Sequence, residues 1–130
     1  MTDIPGSSRY FMGGVISYDN QVKVSLLGVN LQAIQQEGAV SRTVAAQMAE
    51  GVRSRLGTTW GLSITGIAGP DGGTSTKPVG LVYIGLAQSN EKVQVFEHRY
   101  GQDRSRSLIR HLSACTALDL LRRNLLEKDH

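Results

Sequence analysis

The residues with most chemistry in them lie between Thr65 and Gly80, in the run Thr65-Gly-Ile-Ala-Gly-Pro-Asp-Gly-Gly-Thr-Ser-Thr-Lys-Pro-Val-Gly80. Glycines at 66, 69, 72, 73 and 80 let the backbone turn through positive φ and leave its amides free to point into a concavity. Successive amides in such a turn attract anions, above all phosphates and carboxylates. Thr65, Thr74, Ser75 and Thr76 add hydroxyls, and Lys77 adds one cation. The spacing is not that of a Walker A loop, which needs Gly-x4-Gly-Lys-Ser/Thr. On these residues alone, an oxyanion-binding loop and a purely structural strand connection both remain open.

A nucleophile is harder to place. There is no Gly-x-Ser-x-Gly elbow, and His98, His111 and His130 come late without paired spacing, so a Ser-His-Asp triad is unsupported. The physical alternative is a serine activated by a lysine of lowered pKa. Lys23 falls near the start of a short helix whose positive end disfavours a charged ammonium, while Asp19 nearby works the other way. By themselves, Lys23 reads as a surface lysine and Pro5-Gly-Ser-Ser8 as ordinary turn chemistry.

The elements that must position these residues follow from periodicity. Phe11 to Tyr18 reads as a short strand. Gln21–Leu27 and Leu31–Glu37 read as short helices stopped by Gly28 and Gly38. Ser41 caps a helix to about Leu56, with Val44, Met48, Val52 and Leu56 along one face. Trp60–Ile67 and Val79–Ala87 are apolar, β-branched runs of the kind covered on both faces. The polar turn Gln88–Lys92 makes Val93–Tyr100 a hairpin partner. Ser105 to about Glu127 reads as a long amphipathic helix with Leu108, Leu112, Cys115, Leu118, Leu121 and Leu125 on its apolar face. Cys115 is therefore expected to be a packed small hydrophobe rather than a nucleophile. The mixture predicts an α/β domain, helices layered on a mixed sheet, with residues 1–130 forming one unit.

Composition narrows the function. Of 130 residues, 40% are hydrophobic and 19% charged, as in ordinary globular domains. The net charge of +3 is interleaved with acids, and neither exposed aromatics nor a helix-turn-helix pattern accompanies the arginines, so nucleic acid is not the expected partner. No apolar run approaches the ~20 residues of a membrane span. One cysteine excludes an internal disulfide and fits a cytoplasmic setting. No Cys, His or carboxylate cluster has metal-ligand spacing, and no metal or cofactor is expected.

The motifs in order carry a resemblance. Ile64-Thr-Gly-Ile-Ala-Gly-Pro-Asp-Gly-Gly-Thr74 with Lys77-Pro-Val-Gly80 resembles the signature of the CinA C-terminal domain family, the PncC-type nicotinamide-nucleotide amidases. Pro5-Gly-Ser-Ser-Arg-Tyr-Phe-Met-Gly-Gly-Val-Ile-Ser-Tyr-Asp-Asn-Gln-Val-Lys23, Leu26-Leu-Gly-Val29 and Gly38-Ala-Val-Ser41 are similar to the same family, from about Pro5 to about Leu126. The resemblance implies an α/β/α sandwich. It also implies that Ser8 is the nucleophile, with Tyr18 and Lys23 completing its machinery, and that Thr65 contributes at the exit of its strand. The Gly66, Gly69, Gly72, Gly73, Thr74 and Lys77 loop would hold the oxyanion or a 5′-phosphate. A family arginine corresponds to Arg106 counting back from Ile109-Arg110, or to Arg104 counting forward from Gly101; Arg106 is favoured.

The activity so implied is hydrolysis of nicotinamide mononucleotide to nicotinic acid mononucleotide and ammonia, in pyridine-nucleotide recycling. Family members usually begin earlier, with a helix, a strand and an Ala-Glu-Ser-Cys-Thr-Gly-Gly motif, whereas this sequence starts at Met1-Thr-Asp-Ile-Pro5. That difference is expected to leave a sheet edge and apolar surface uncovered and to favour a homodimer. It also keeps two other readings alive: a non-catalytic nucleotide-binding module and an oligomerisation domain.

Overall fold

The computed structural model describes residues 1–128. After a 3-10 turn at Ser7–Arg9 come α1 (Asn20–Leu27), α2 (Leu31–Glu37), α3 (Arg42–Leu56), β1 (Trp60–Gly66), β2 (Leu81–Gln88), β3 (Gln94–Arg99) and α4 (Arg106–Lys128). The helix ends follow the sequence signals. Asp19 Oδ1 accepts from Gln21 N at 2.7 Å, Asn30 Oδ1 from Gln32 N at 2.8 Å and Ser41 Oγ from Val44 N at 3.3 Å. Each satisfies an amide that the first helical turn leaves unpaired.

The three strands form one sheet in the order β1-β2-β3, and both pairings are antiparallel, with Ile64 opposite Ile84 and Ile84 opposite Phe96. Helix α3 covers one face. Ser63 Oγ donates to Ala45 O at 2.6 Å and accepts from Gly85 N at 3.2 Å, so β1, β2 and α3 meet at one hydroxyl. On the opposite face α4 lays Ile109 and Ala117 over Val82 and Ile84, with Leu62, Phe96 and Leu120 around them. The result is the three-layer α/β/α sandwich.

A second core lies outboard of the sheet, where Leu27, Val29, Ala33 and Ile34 from the α1–α2 region pack on Val44 and Met48 of α3. Val15 joins it from the N-terminal segment.

Two sequence expectations change. Phe11–Tyr18 has the alternating exposure of a strand but no ladder, because among the described residues no other strand lies beside it to accept its backbone bonds. Cys115 is exposed rather than packed. The face of α4 against the sheet runs through Ile109, Ser113 and Ala117, so small residues make the close contact. The leucine stripe is rotated off it, and Leu108, Leu118 and Leu125 remain about 40% exposed at 39%, 42% and 41%. Leucine periodicity marks an apolar face without saying which part of it touches the sheet.

Gly51, inside α3, faces the end of α1 so closely that a Cβ there would meet Leu27 O. In an exposed helix interior, Gly→Ala stabilises by about 1 kcal/mol. Here the overlap with main chain reverses the sign, and Gly51→Ala is expected to lower stability by about 1–3 kcal/mol in urea unfolding. An unchanged or higher unfolding midpoint would show that α1 is free to move away from α3.

Candidate functional site

The Gly-rich loop grows out of the β1–β2 ladder, which continues past the strands through Ile67 N to Leu81 O (3.0 Å) and Gly80 N to Ile67 O (2.7 Å). Beyond that neck the chain needs left-handed φ at Gly69 (77°) and Gly72 (93°). Gly73 is held for a different reason, since a Cβ there would lie 2.8 Å from Val79 N. The Thr74–Lys77 turn closes on itself: Thr74 N donates to Lys77 O at 2.8 Å, and Lys77 N to Thr74 Oγ1 at 3.0 Å. Among the described residues, the amides of Ala68, Gly69, Asp71, Gly72 and Gly73 donate to no protein acceptor. Gly69 is buried among them, whereas Asp71, Gly72 and Gly73 lie on the exposed part of the loop.

Three other elements are tied to this loop. Arg106, the first residue of α4, donates from Nη1 to Gly69 O at 2.9 Å. Tyr100 N donates to Gly80 O at 2.9 Å, which anchors the chain leading into α4 against the loop's exit. Lys77 Nζ donates to Glu37 O at the end of α2, a cation on a helix's unpaired carbonyls. Thr65, buried at the end of β1, donates from Oγ1 to Ala39 O at 2.8 Å.

Arg104 turns away, its Nε donating to Tyr100 O at 2.7 Å. Of the two candidate arginines, Arg106 is the one on the loop. Beneath the loop, Ile64, Gly66, Ala68, Val82, Ile109, Arg110 and Ser113 line a crevice of about 250 Å³. Sequence reasoning missed Arg110 and Ser113 as lining residues. A larger hollow of about 440 Å³ between α1 and α3 includes Glu50 and Arg55 but none of the expected site residues.

Ser8, Tyr18 and Lys23 lie on the N-terminal side of the molecule. Ser8 is exposed on the 3-10 turn that follows Gly6 at φ 87°, while neighbouring Ser7 is buried. Tyr18 is 77% exposed. Lys23 is different: it is buried within α1, 7% exposed, and its Nζ donates to Ser17 O. Burial pushes its ammonium below the ordinary lysine range, and the Asp19 carboxylate partly opposes that shift. The direction is the one expected from sequence, but loss of solvent is what drives it. Among the described residues, no hydrogen bond joins Ser8, Tyr18 and Lys23 to one another or to the Gly-rich loop. No three His, Cys, Asp or Glu residues among them group as metal ligands, and no helix is long and apolar enough to cross a membrane.

The family model for the CinA C-terminal domain matches residues 1–125. The chain belongs to that family. It is 67% identical over 128 residues to a CinA-like protein of Trichormus variabilis, covering 98% of this chain and 31% of that protein. It is 65% identical over 136 residues to another of Nostoc, covering 98% and 32%. This CinA-type chain thus spans about a third of the length of these relatives.

Among solved structures it resembles the competence/damage inducible protein CihA of Agrobacterium tumefaciens, with a TM-score of 0.89 and 42% identity over 92% of this chain and 72% of that one. A CinA superfamily protein of Escherichia coli matches with a TM-score of 0.84 and 26% identity, over 90% and 66%. A Klebsiella pneumoniae protein at 19% identity shares the fold, with a TM-score of 0.88.

The lowered Lys23 pKa has a consequence for stability. Between the lowered folded value and the ordinary lysine value of 10.5, the unfolded chain binds more protons at this position than the folded one. Stability contributed by this site therefore rises with pH through that window, and the site is destabilising below it. Lys23→Met should remove that rise when unfolding free energies are measured across alkaline pH. Asp19→Asn keeps a helix cap but removes the opposing charge, so the Lys23 pKa should fall further in an NMR titration. A rise on that substitution would mean Asp19 does not act on Lys23 electrostatically.

Proposed function

We propose that this chain is an amidohydrolase that converts nicotinamide mononucleotide to nicotinic acid mononucleotide and ammonia. The observation that carries the reading is the buried Lys23 amine of lowered pKa, held against Ser17 O in the stretch that also bears Ser8 and Tyr18. Membership in the CinA C-terminal family supports it.

In this mechanism a neutral Lys23 keeps an N–H on Ser17 O and offers its lone pair to the Ser8 hydroxyl. Ser8 Oγ attacks the carboxamide carbon as its proton passes to Lys23, with Tyr18 orienting or relaying it. The tetrahedral oxyanion collapses, the C–N bond breaks, and the amine leaves as ammonia with the proton returned from Lys23. Water then adds to the acyl-enzyme and gives a proton to Lys23; the C–Oγ bond breaks, Lys23 returns that proton to Ser8 Oγ, and the acid leaves. Free amides of the Gly69–Gly73 segment, the Thr65 hydroxyl and Arg106 supply donors for the oxyanion or the 5′-phosphate. No metal or organic cofactor enters any step. The same reading places the enzyme in the cytoplasm.

Ammonia release from nicotinamide mononucleotide is the direct assay. Ser8→Ala and Lys23→Ala should each lower kcat by about 100-fold or more. A folded chain without turnover would overturn the catalytic reading. Arg106→Ala should raise KM for the nucleotide with less effect on kcat, whereas Arg104→Ala should leave KM within about twofold. The reverse order would transfer the phosphate role to Arg104.

That no hydrogen bond among the described residues joins Ser8, Tyr18 and Lys23 to one another or to the Gly-rich loop also favours a second reading, a nucleotide-binding module without turnover. Nucleotide-dependent thermal stabilisation, lost in Arg106→Ala and unaffected by Ser8→Ala, would distinguish it.

A further inference from the structure

We propose that Lys77 is a positioning residue for the anion-binding part of the Gly-rich loop: its ammonium latches the loop to the α2–α3 junction and does not itself meet the ligand. The ligand is the phosphate-bearing nucleotide of the proposed function, and in that respect alone the inference rests on that reading. Each polar group of Lys77 has a partner within the protein. Its N donates to Thr74 Oγ1 at 3.0 Å, its O accepts from Thr74 N at 2.8 Å, and its Nζ donates to Glu37 O.

The receiving end suits a cation. Helix α2 carries no basic residue in its last turn, so the negative end of its dipole has no cation of its own. The Glu37 carboxylate turns to Thr43 Oγ1 at 3.0 Å, which leaves the main-chain oxygen to take the ammonium. The next two carbonyls also accept from side chains, Gly38 O from Ser41 Oγ at 2.9 Å and Ala39 O from Thr65 Oγ1 at 2.8 Å. Gly38 gives Lys77 its room: φ there is 83°, and a Cβ would lie 3.0 Å from Nζ. Main chain held at three successive carbonyls is a fixed point. Through Ala33 and Ile34 it belongs to the Leu27–Met48 core.

From Lys77 the constraint runs to the loop amides. Pro78 fixes the next φ, and Val79 then supports the loop. A Cβ on Gly69 would come within 2.6 Å of Val79 Cγ1, and one on Gly73 within 2.8 Å of Val79 N. Residues 69–73 therefore rest against Val79, with Asp71, Gly72 and Gly73 exposed and their amides donating to no acceptor among the described residues. Arg106 holds the same segment directly, at Gly69 O. A segment fixed at both points presents its amides in one arrangement, so less ordering is required when an anion binds. The ammonium is committed to α2, and its contribution to anion binding passes through Val79.

The test compares the wild-type chain with Lys77→Met, which keeps an unbranched stem and loses the ammonium. Amide hydrogen exchange at Thr74 and Gly80, both bonded within the loop and its neck, should speed up at least about tenfold. Unchanged exchange would overturn the proposal. The Kd for nicotinamide mononucleotide, measured by calorimetry, should rise about tenfold. Its dependence on salt should stay the same, because the lost ammonium faces no ligand charge. A weakened salt dependence would put the ammonium on the ligand, and an unchanged Kd would remove Lys77 from anion binding altogether; either rejects the assignment. If the wild-type chain binds no nucleotide, the proposed function fails, and the exchange measurement alone decides the latch. If Lys77→Met does not fold, the wild-type ammonium decides. Its nitrogen–proton NMR signal should persist at neutral pH, where an ammonium open to water exchanges too fast to be seen, and its absence rejects the latch.

Discussion

Helix α3 lies so close to the sheet that a Cβ on Gly61 would meet Ala49 O, and one on Gly85 would meet Ala45 O. The rest of the architecture is built from that contact. A helix at this distance shields the centre of β2 and sets the position of Ser63 Oγ, which satisfies both a strand amide and a helix carbonyl. The opposite side of α3 then has the reach to support α1 and α2 through Val44 and Met48. Gly51 makes the α1 contact as close as the sheet contact. Small residues at these points bring main chain near main chain, and volume added there has nowhere to go.

Two kinds of lysine environment result. Lys77 donates to Glu37 O at the surface, where a cation complements the unpaired carbonyls at the end of α2. Lys23 also donates to a carbonyl, Ser17 O, but from a buried position where the charged form is costly. One lysine fastens the loop, and the other holds an amine whose charged form burial disfavours. Arg106 resembles Lys77 in fastening the loop, through Gly69 O.

Apolar surface is distributed unevenly. The α4 side of the sheet is closed by Ile109 and Ala117, but the leucines of α4 and the even-numbered side chains of residues 11–18 face outward. The hydrophobic effect penalises both exposures.

Sequence by itself determined the helices and strands after Asp19, because caps such as Asp19, Asn30 and Ser41 and stops such as Gly28 and Gly57 act within a turn of chain. It also marked the Gly-rich loop and the family motifs, since special backbone conformations leave local residue signatures. Tertiary structure alone decided the rest. Whether Phe11–Tyr18 becomes a strand depends on a neighbour, whether Cys115 is covered depends on which side of α4 meets the sheet, and which late arginine bonds to the loop depends on where Gly69 O lies. Lys23 looked like a surface lysine until the fold buried it, because burial is a sum over distant residues that no local spacing encodes.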